Sequence, residues 1–310
     1  MPEPLSGGGN KGLAAIGMDV GGTKVLGTAV AWTGEVICTE KTTLPPSQPI
    51  IEVMANLASG LALEACRLLH LPPSPVPCVG LGIPGTLDRD GNLTFSANLK
   101  GMVGVDVRGR LRESLSTKAV SGIPALFNSD VPIVVENDAN CALIAEALVG
   151  AARGCKDVML LTLGTGIGGA MMLGGKLLHG AHGYAGEFGH MVVMPDGFQC
   201  KCGRKGCFEH YVSGTANRRV SHEDMAKWMA LGLANLILAF DPEIIVVGGG
   251  FGAGMGEKLL GPVRKLLPGL LREYSETQVP RLVVADLGEE AGAVGAAINA
   301  IQHIAPQWDY

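Results

Sequence analysis

Four side chains with metal-binding chemistry lie within one short stretch: His190, Cys200, Cys202 and Cys207. The pattern H-x9-C-x-C-x4-C supplies one imidazole and three thiols, the donors that closed tetrahedral zinc sites use. Because four ligands leave no open coordination position, we expect a structural Zn²⁺ in a knuckle at 190–207, which supplies folding energy to the segment 180–214. A disulfide is a weaker interpretation, since it would leave one of the three cysteines unpaired.

Two glutamates flank this predicted knuckle. Glu187 stands three residues before His190, and Glu209 stands two residues after Cys207. Carboxylates that a metal knuckle holds rigidly can accept hydrogen bonds from the hydroxyl groups of a sugar. The alternative is that both are solvated surface glutamates.

Four glycine-rich loops each follow an apolar stretch. Glycine leaves backbone N–H groups open, so such turns can cradle phosphate oxygens. Thr23 and Thr165 add hydroxyl donors, and Lys24 adds a positive charge. One such loop is often an ordinary turn, but four in one chain predict a nucleotide site. The loops are at residues 21–24, 82–85, 164–166 and 248–250.

Two common phosphate motifs do not explain these loops. The chain lacks G-x-x-x-x-G-K-[ST], which excludes a P-loop enzyme. Gly164, Gly166 and Gly169 satisfy G-x-G-x-x-G, but in dinucleotide-binding proteins that motif must open a helix. The Gly174–Gly175 pair interrupts the chain soon afterwards, so we expect a hairpin here rather than a nicotinamide site.

Two aspartates stand at the ends of apolar strands. Asp19 lies inside the apolar run 16–20, where a carboxylate is costly to bury unless it serves a cation; we expect it to orient Mg²⁺ or its waters. Asp138 follows the apolar run 131–135 and opens a helical pattern, and a carboxylate there can accept a proton during phosphoryl transfer. The alternatives are a structural Asp19 bonded to its own turn and an Asp138 that is only a helix N-cap.

The elements that must position these residues alternate between strands and helices, which predicts an α/β class. A pattern of strand, Gly/Thr turn, strand and glycine turn occurs near 14–37 and again near 158–178. This weak internal duplication indicates two similar domains around a cleft. We expect a loose tail at 1–12, a smaller domain at 13–136 plus 292–310, and a larger domain at 137–291 that carries the knuckle.

Composition excludes several classes of protein. With 47% hydrophobic and 17% charged residues among 310, the chain is not disordered. A net charge of −5 argues against a nucleic-acid or anionic-membrane binder. No apolar core of a secretory signal is visible, and the uncharged stretch 158–175 contains too many glycines for a membrane helix. We therefore expect a cytoplasmic protein.

Together these motifs resemble the bacterial sugar kinases of the ROK group (repressors, open reading frames, kinases). They occur in the family's order and cover nearly the whole chain after residue 12. The resemblance implies a two-domain actin-like (ribonuclease H-like) sugar kinase fold. The matching segments are Asp-Val-Gly-Gly-Thr-Lys at 19–24, Gly-Ile-Pro-Gly at 82–85, Glu-Asn-Asp-Ala-Asn at 136–140, Leu-Gly-Thr-Gly-Ile-Gly-Gly at 163–169, Gly-Glu-Phe-Gly-His at 186–190, the cysteine segment 200–209 and Val-Gly-Gly-Gly at 247–250.

The resemblance also implies an ATP-dependent kinase for the 6-hydroxyl of a hexose, a step of carbohydrate metabolism such as glycolysis, and a homodimer. Asp138 would be the general base, and His190 would serve both zinc and sugar. The sugar-contacting positions would be Asn98, Asn137, Glu187, His190 and Glu209. The positions facing ATP and Mg²⁺ would be Asp19, Gly21, Gly22, Thr23, Lys24, Gly164, Thr165, Gly166 and Gly249.

Two departures from the family pattern stand out. The family often has Asn-Leu-Pro-Gly-Trp where this chain has Asn-Leu-Lys-Gly-Met at 98–102, and the segment 219–231 is short. Glucose is the expected acceptor, with N-acetylmannosamine, N-acetylglucosamine and fructose as alternatives, and polyphosphate remains an alternative to ATP.

Two other functional classes are less consistent with the sequence. A sugar-responsive ROK transcriptional regulator would need a DNA-binding domain ahead of Asp19, which only 18 residues precede. A sugar-binding protein without activity would not need both Asp19 and Asp138.

Overall fold

The computed structural model describes residues 12–45, 48–88, 90–117, 125–272 and 278–307. The chain divides into two compact units, Met1–Ile144 with Gly292–Tyr310, and Ala145–Ala291. The expected boundary at 136/137 therefore differs from the observed one, and the units are of similar length rather than a smaller and a larger domain. The expected tail at 1–12 lies, apart from Gly12, outside the described residues.

The first unit is built on a five-stranded sheet with the strand order β3-β2-β1-β4-β7. Strands β1, β2 and β3 form an antiparallel meander, and β1, β4 and β7 run parallel. Its elements are β1 (Leu13–Val20), β2 (Lys24–Ala31), β3 (Val36–Thr43), α1 (Ile50–Leu68), β4 (Cys78–Ile83), β5 (Thr86–Leu87), β6 (Leu93–Phe95), a 3-10 turn (Lys100–Met102), α2 (Val107–Thr117), β7 (Ile133–Asn137) and α3 (Asp138–Leu148).

The second unit repeats this topology. Its sheet has the order β10-β9-β8-β11-β12, again with an antiparallel meander followed by parallel pairs. The internal duplication predicted from the sequence is thus present at the level of strand order and direction. The elements are β8 (Val158–Leu163), β9 (Ile167–Leu173), β10 (Lys176–Leu177), α4 (His222–Phe240), β11 (Ile244–Gly248), α5 (Gly249–Met255), α6 (Glu257–Leu270), β12 (Arg281–Val284) and 3-10 turns at Phe188–His190, Phe208–His210, Ala216–Arg218 and Gly288–Glu290. Helix α7 (Ala291–Ile304) follows them and belongs, from Gly292 on, to the first unit.

Helix α7 returns to the first unit and lies directly on the backbone of its sheet. A Cβ atom on Gly17 of β1 would overlap the carbonyl oxygen of Ala293, and one on Gly80 of β4 would overlap that of Ala296. Gly295 in turn lies against the backbone of Cys141 in α3. These glycines allow helix and strands to approach more closely than side chains would permit.

We predict that Gly80→Ala destabilises the protein. The new methyl group would overlap backbone atoms of α7, which cannot rotate away, and overpacking of this kind costs about 1–3 kcal/mol. Thermal unfolding followed by circular dichroism measures the change. Gly269→Ala in α6 is the matched control, because its Cβ meets nothing within 4 Å and alanine favours a helix. Equal unfolding temperatures for the two variants would contradict the packing argument.

Within the part of the chain that the structure describes, no helix is long and apolar enough to cross a bilayer.

Candidate active site

Three parallel strands bring the predicted catalytic residues of the first unit to one edge of the sheet. Asp19 on β1 pairs with Gly82 on β4, and Gly82 pairs with Glu136 on β7. Asn137 ends β7 and Asp138 begins α3, so both lie at the same carboxyl edge as Asp19. This edge is where sheets of α/β proteins place their ligands.

The two aspartates are close enough to influence each other electrostatically. Burial and, to a smaller extent, the negative charge of Asp138 raise the pKa of Asp19 to about 7, while the positive charge of Lys24 partly opposes them. Gly292 at the start of α7 packs on the Asp19 carboxylate, where an added Cβ would lie 2.9 Å from Cγ. The Asp19 carboxylate is unfavourable as an anion unless a cation is near it, and Asp138 adds a second carboxylate. Such a pair fits a divalent cation that prefers oxygen ligands, such as Mg²⁺.

This raised pKa predicts how stability depends on pH. The ordinary pKa is 3.8 and the folded value is about 7, so the folded state holds the Asp19 proton more tightly than the unfolded chain. The contribution favours folding below about pH 4 and is lost as the pH rises to about 7. In Asp19→Asn this loss is absent, so in metal-free buffer the variant should gain stability relative to wild type between pH 4 and pH 8, on the order of a few kcal/mol.

Thermal unfolding of both proteins across this pH range tests the prediction. Asp90→Asn, on an exposed turn, serves as the control. A stability difference between Asp19→Asn and wild type that stays constant with pH would refute it.

Asn137 has a positioning role that bears on Asp138. The Asn137 Oδ1 atom accepts hydrogen bonds from the backbone N–H groups of Ala139 (2.9 Å) and Asn140 (3.1 Å), so Asn137 is the N-cap of α3. Its Nδ2 donates to the carbonyl of Gly85 at 3.0 Å and ties the cap to the 82–85 loop. Asp138 Oδ1 also accepts from Ala139, at 2.9 Å. The helix thus has a cap without Asp138, and the N-cap alternative for Asp138 loses its support.

The 21–24 loop and Asn98 lie together at this edge. The Gly21 N–H donates to the Lys24 carbonyl at 2.9 Å, which closes the turn and leaves Thr23 and Lys24 exposed. A Cβ atom on Gly22 would lie 3.2 Å from the backbone carbonyl oxygen of Asn98, so the loop packs against Asn98. Met102, which stands where the family often has an aromatic residue, is 3% exposed and belongs to the core of the unit.

In the second unit, two glycine corners lie at the carboxyl ends of β8 and β11. The Gly164 N–H donates to the Gly166 carbonyl at 3.0 Å, and Thr165 at the tip is exposed. Gly249 has φ 77° and packs on the backbone of Leu163, which no side chain would allow. Residues 164–169 lie on the β8–β9 hairpin rather than at the start of a helix, so the predicted hairpin is confirmed.

The four predicted metal ligands converge in this unit. Their ligand atoms all lie within 4.8 Å of one another. His190 Nδ1 is 3.7 Å from Cys200 Sγ, and the Sγ atoms of Cys202 and Cys207 are 3.5 Å apart. Ligands of one tetrahedral zinc ion with Zn–S bonds of about 2.3 Å stand roughly 3.8 Å apart. The geometry and the donors therefore fit a single metal ion of this kind.

The charges of the cluster also favour a cation. Burial, together with the neighbouring thiols of Cys202 and Cys200, raises the pKa of Cys207 to about 12. The backbone N–H of Arg204 lowers the pKa of Cys202 to about 6. Three thiolates in this space would repel one another, and a bound cation would remove that repulsion.

The two flanking glutamates differ in their surroundings. Glu209 Oε1 accepts a hydrogen bond from Cys200 Sγ at 3.4 Å and lies 3.7 Å from His190 Nδ1. Its other carboxylate oxygen lies against Gly166, so Glu209 links the cysteine cluster to the glycine turn. Glu187 is exposed, and its backbone carbonyl accepts a hydrogen bond from the His190 N–H at 3.1 Å. The surface alternative therefore fails for Glu209 and remains open for Glu187.

His210 belongs to this group but was not predicted from the sequence. One of its ring nitrogens forms a compact set with Cys200 and Glu209. Nδ1 lies 2.8 Å from Arg219 Nη2, which donates to it, so the neutral ring carries its proton on Nε2. That Nε2 atom is buried and has no hydrogen-bond partner among the described residues. Its position beside Glu209 in the sequence was the only available indication.

Comparison with known proteins decides the family. The model of the ROK family matches residues 15–223 and 217–303. The chain belongs to the ROK family. A glucokinase from Streptomyces coelicolor is 32% identical to it over 91% of this chain and 96% of the relative.

Solved structures of ROK proteins share the fold. A ROK hexokinase from Thermus thermophilus superposes with a TM-score of 0.75 at 30% identity, covering 94% of this chain and 98% of the other. A ROK glucokinase from Streptomyces griseus, solved in complex with glucose and AMPPNP, gives 0.72 at 30% identity, covering 94% and 100%. The predicted sugar kinase fold is thereby confirmed.

The two parts of the family match overlap at 217–223, within the segment 219–231 and just before it. In the structure the 3-10 turn Ala216–Arg218 leads almost directly into α4. Ser221 caps that helix, accepting a hydrogen bond from the Asp224 N–H at 3.1 Å. The connection is thus a compact, capped turn.

Proposed function

We propose that this protein catalyses the ATP-dependent phosphorylation of the 6-hydroxyl of a hexose, with glucose as the principal acceptor. The observation that carries the proposal is the pair of aspartates at the carboxyl edge of the first sheet, Asp19 and Asp138. Membership of the ROK family and the glucokinases among its relatives support the same reaction.

In this reaction the acceptor oxygen attacks the γ-phosphorus of ATP. A new O–P bond forms, the bond to the ADP oxygen breaks, and the hydroxyl proton passes to the Asp138 carboxylate as general base. Asp138 suits this role because Asn137 caps the helix and fixes the start of α3. Asp19 would hold Mg²⁺ or its waters, since its carboxylate is buried and destabilised as an anion without a cation.

The phosphate groups would bind to backbone N–H groups at the glycine corners that the family resemblance assigns to ATP. Gly21, Gly22, Thr23 and Lys24 offer one such corner, with Lys24 adding positive charge. Gly164, Thr165 and Gly166 offer the second, and Gly249 the third. Phosphoryl transfer needs positioning and charge neutralisation more than covalent chemistry, and these corners supply it.

The acceptor sugar would be held by Asn98, Asn137, Glu187, His190 and Glu209. Zn²⁺, bound by His190, Cys200, Cys202 and Cys207, would be structural and would fix the position of Glu209. With Nδ1 on the metal, the opposite ring nitrogen of His190 points away and is available for a sugar hydroxyl.

A coupled ADP-release assay over a panel of hexoses tests the proposal. We expect the highest kcat/KM for glucose and lower values for N-acetylglucosamine, N-acetylmannosamine, fructose and mannose. The same assay with polyphosphate in place of ATP identifies the phosphoryl donor. Absence of ADP release with every hexose would overturn the kinase proposal, and a preference for an N-acetylated hexose would overturn glucose alone.

We further propose that the enzyme acts in the cytoplasm as a homodimer and does not bind nucleic acid. The acidic net charge and the resemblance to ROK kinases support this proposal. Light scattering coupled to size exclusion measures the mass, and a monomer at micromolar concentration would contradict the dimer.

A further inference from the structure

A pocket of about 380 Å³ opens in the first unit beside Asn98. Apolar side chains line much of it, including Ile50 at the start of α1, Met102 and Val105. Lys100 and Arg110 also line it and add two positive charges. Of these residues only Asn98 has a role in the proposed phosphoryl transfer.

The two cations are not used by the protein itself. Neither Lys100 nor Arg110 has a side-chain hydrogen bond or ion pair with any residue in the described ranges of the chain, and both are exposed. Two acidic residues are near Arg110 in the sequence, Asp106 and Glu113, and neither forms an ion pair with it; Asp106 accepts a hydrogen bond from the Gly109 N–H at 2.8 Å. In a chain with a net charge of −5, two unpaired cations at one pocket point to an anionic ligand.

The charge and the volume of the pocket narrow the ligand class. Two positive side chains match the charge of a phosphate dianion better than that of a single carboxylate. A volume of about 380 Å³ is near the lower end for small-molecule pockets, which fits a small metabolite rather than a dinucleotide. The apolar wall suits the C–H faces of a sugar ring.

We propose that this pocket binds a phosphate monoester of hexose size. Its phosphoryl group would lie between Lys100 and Arg110, and its carbon skeleton would lie on Ile50, Met102 and Val105. The binding site does not depend on the proposed kinase activity. Its coupling to acceptor binding does rest on that function, because Asn98 lines the pocket and would also contact the acceptor hexose.

Isothermal titration of the full chain with glucose 6-phosphate, without ATP, tests the site. We expect saturable binding that Lys100→Gln and Arg110→Gln each weaken by about tenfold or more, as loss of a charged hydrogen-bond partner does. Lys176→Gln, an exposed lysine on β10, is the matched control and should bind like wild type. Because the substituted residues are exposed, unfolding temperatures should not change.

Two further comparisons complete the test. One distinguishes a phosphate monoester from inorganic phosphate as the ligand, and the other distinguishes a failure of the pocket proposal from a failure of the kinase proposal. Inorganic phosphate should bind at least tenfold more weakly than glucose 6-phosphate; equal affinity would overturn the monoester assignment. The titration needs neither ATP nor turnover, so a failed hexose assay and a failed pocket are distinguishable. Absence of saturable binding at millimolar concentrations, or binding that neither Lys100→Gln nor Arg110→Gln weakens, would overturn the proposal.

Discussion

Replacing Asp138 with asparagine is expected to lower kcat for hexose phosphorylation by roughly 10²–10⁴-fold, the usual contribution of a general base. The amide has nearly the same shape but cannot accept the hydroxyl proton. Asn137 still caps α3, so the fold should be retained. ADP release measures kcat, and titration with glucose should show a much smaller change in affinity.

Asp130→Asn provides the control for this experiment. Asp130 is an exposed acid that precedes β7, whereas Asp138 follows it, so the two variants alter opposite ends of one strand. The control should retain wild-type kcat. If Asp138→Asn also keeps kcat within about twofold, a loss far below that of a general base, the assignment is wrong.

Loss of the metal is the second change with a large expected effect. Protein purified without added zinc should contain about one zinc per chain, as the three thiols and one imidazole can fill a tetrahedral site. Cys207→Ser removes a buried ligand and should abolish zinc binding. It should lower the free energy of unfolding by about 3 kcal/mol or more, since metal binding and folding of such a segment are coupled.

Elemental analysis and thermal unfolding measure these two effects. Cys38→Ser is the matched control, because Cys38 lies outside the cluster and is only partly buried. Two results together would refute a structural metal: wild-type protein that contains no zinc, and a Cys207→Ser variant that unfolds at the same temperature as wild type.

The metal cluster was predictable because its ligands are close in sequence and their chemistry is specific. Contacts between distant segments were not. The approach of Glu209 to Gly166 depends on how the cysteine knuckle folds back on the β8–β9 turn, which no local pattern encodes. The sequence likewise predicted that Asp19 and Asp138 end their strands, but only the strand register shows that they share one edge.

Element boundaries differ where local rules compete with packing. The Pro72–Pro73 pair alone would allow helix α1 to reach Leu71, but His70 adopts a left-handed φ of 55° and the helix ends at Leu68. Pro268 and Gly269 both disfavour a helix interior, yet α6 continues to Leu270. Buried side chains, with Val263 and Leu267 among them, hold that helix in place against the effect of Pro268.

The return of α7 to the first unit has a consequence for biosynthesis. Strands β1 and β4 leave the ribosome early, but the helix that covers Gly17 and Gly80 is made only after the second unit. The continuous segment 145–291 can therefore complete its own core before α7 is available to cover the sheet of the first unit. For this chain we expect the usual order of co-translational folding to be reversed, with the middle of the polypeptide maturing before its beginning.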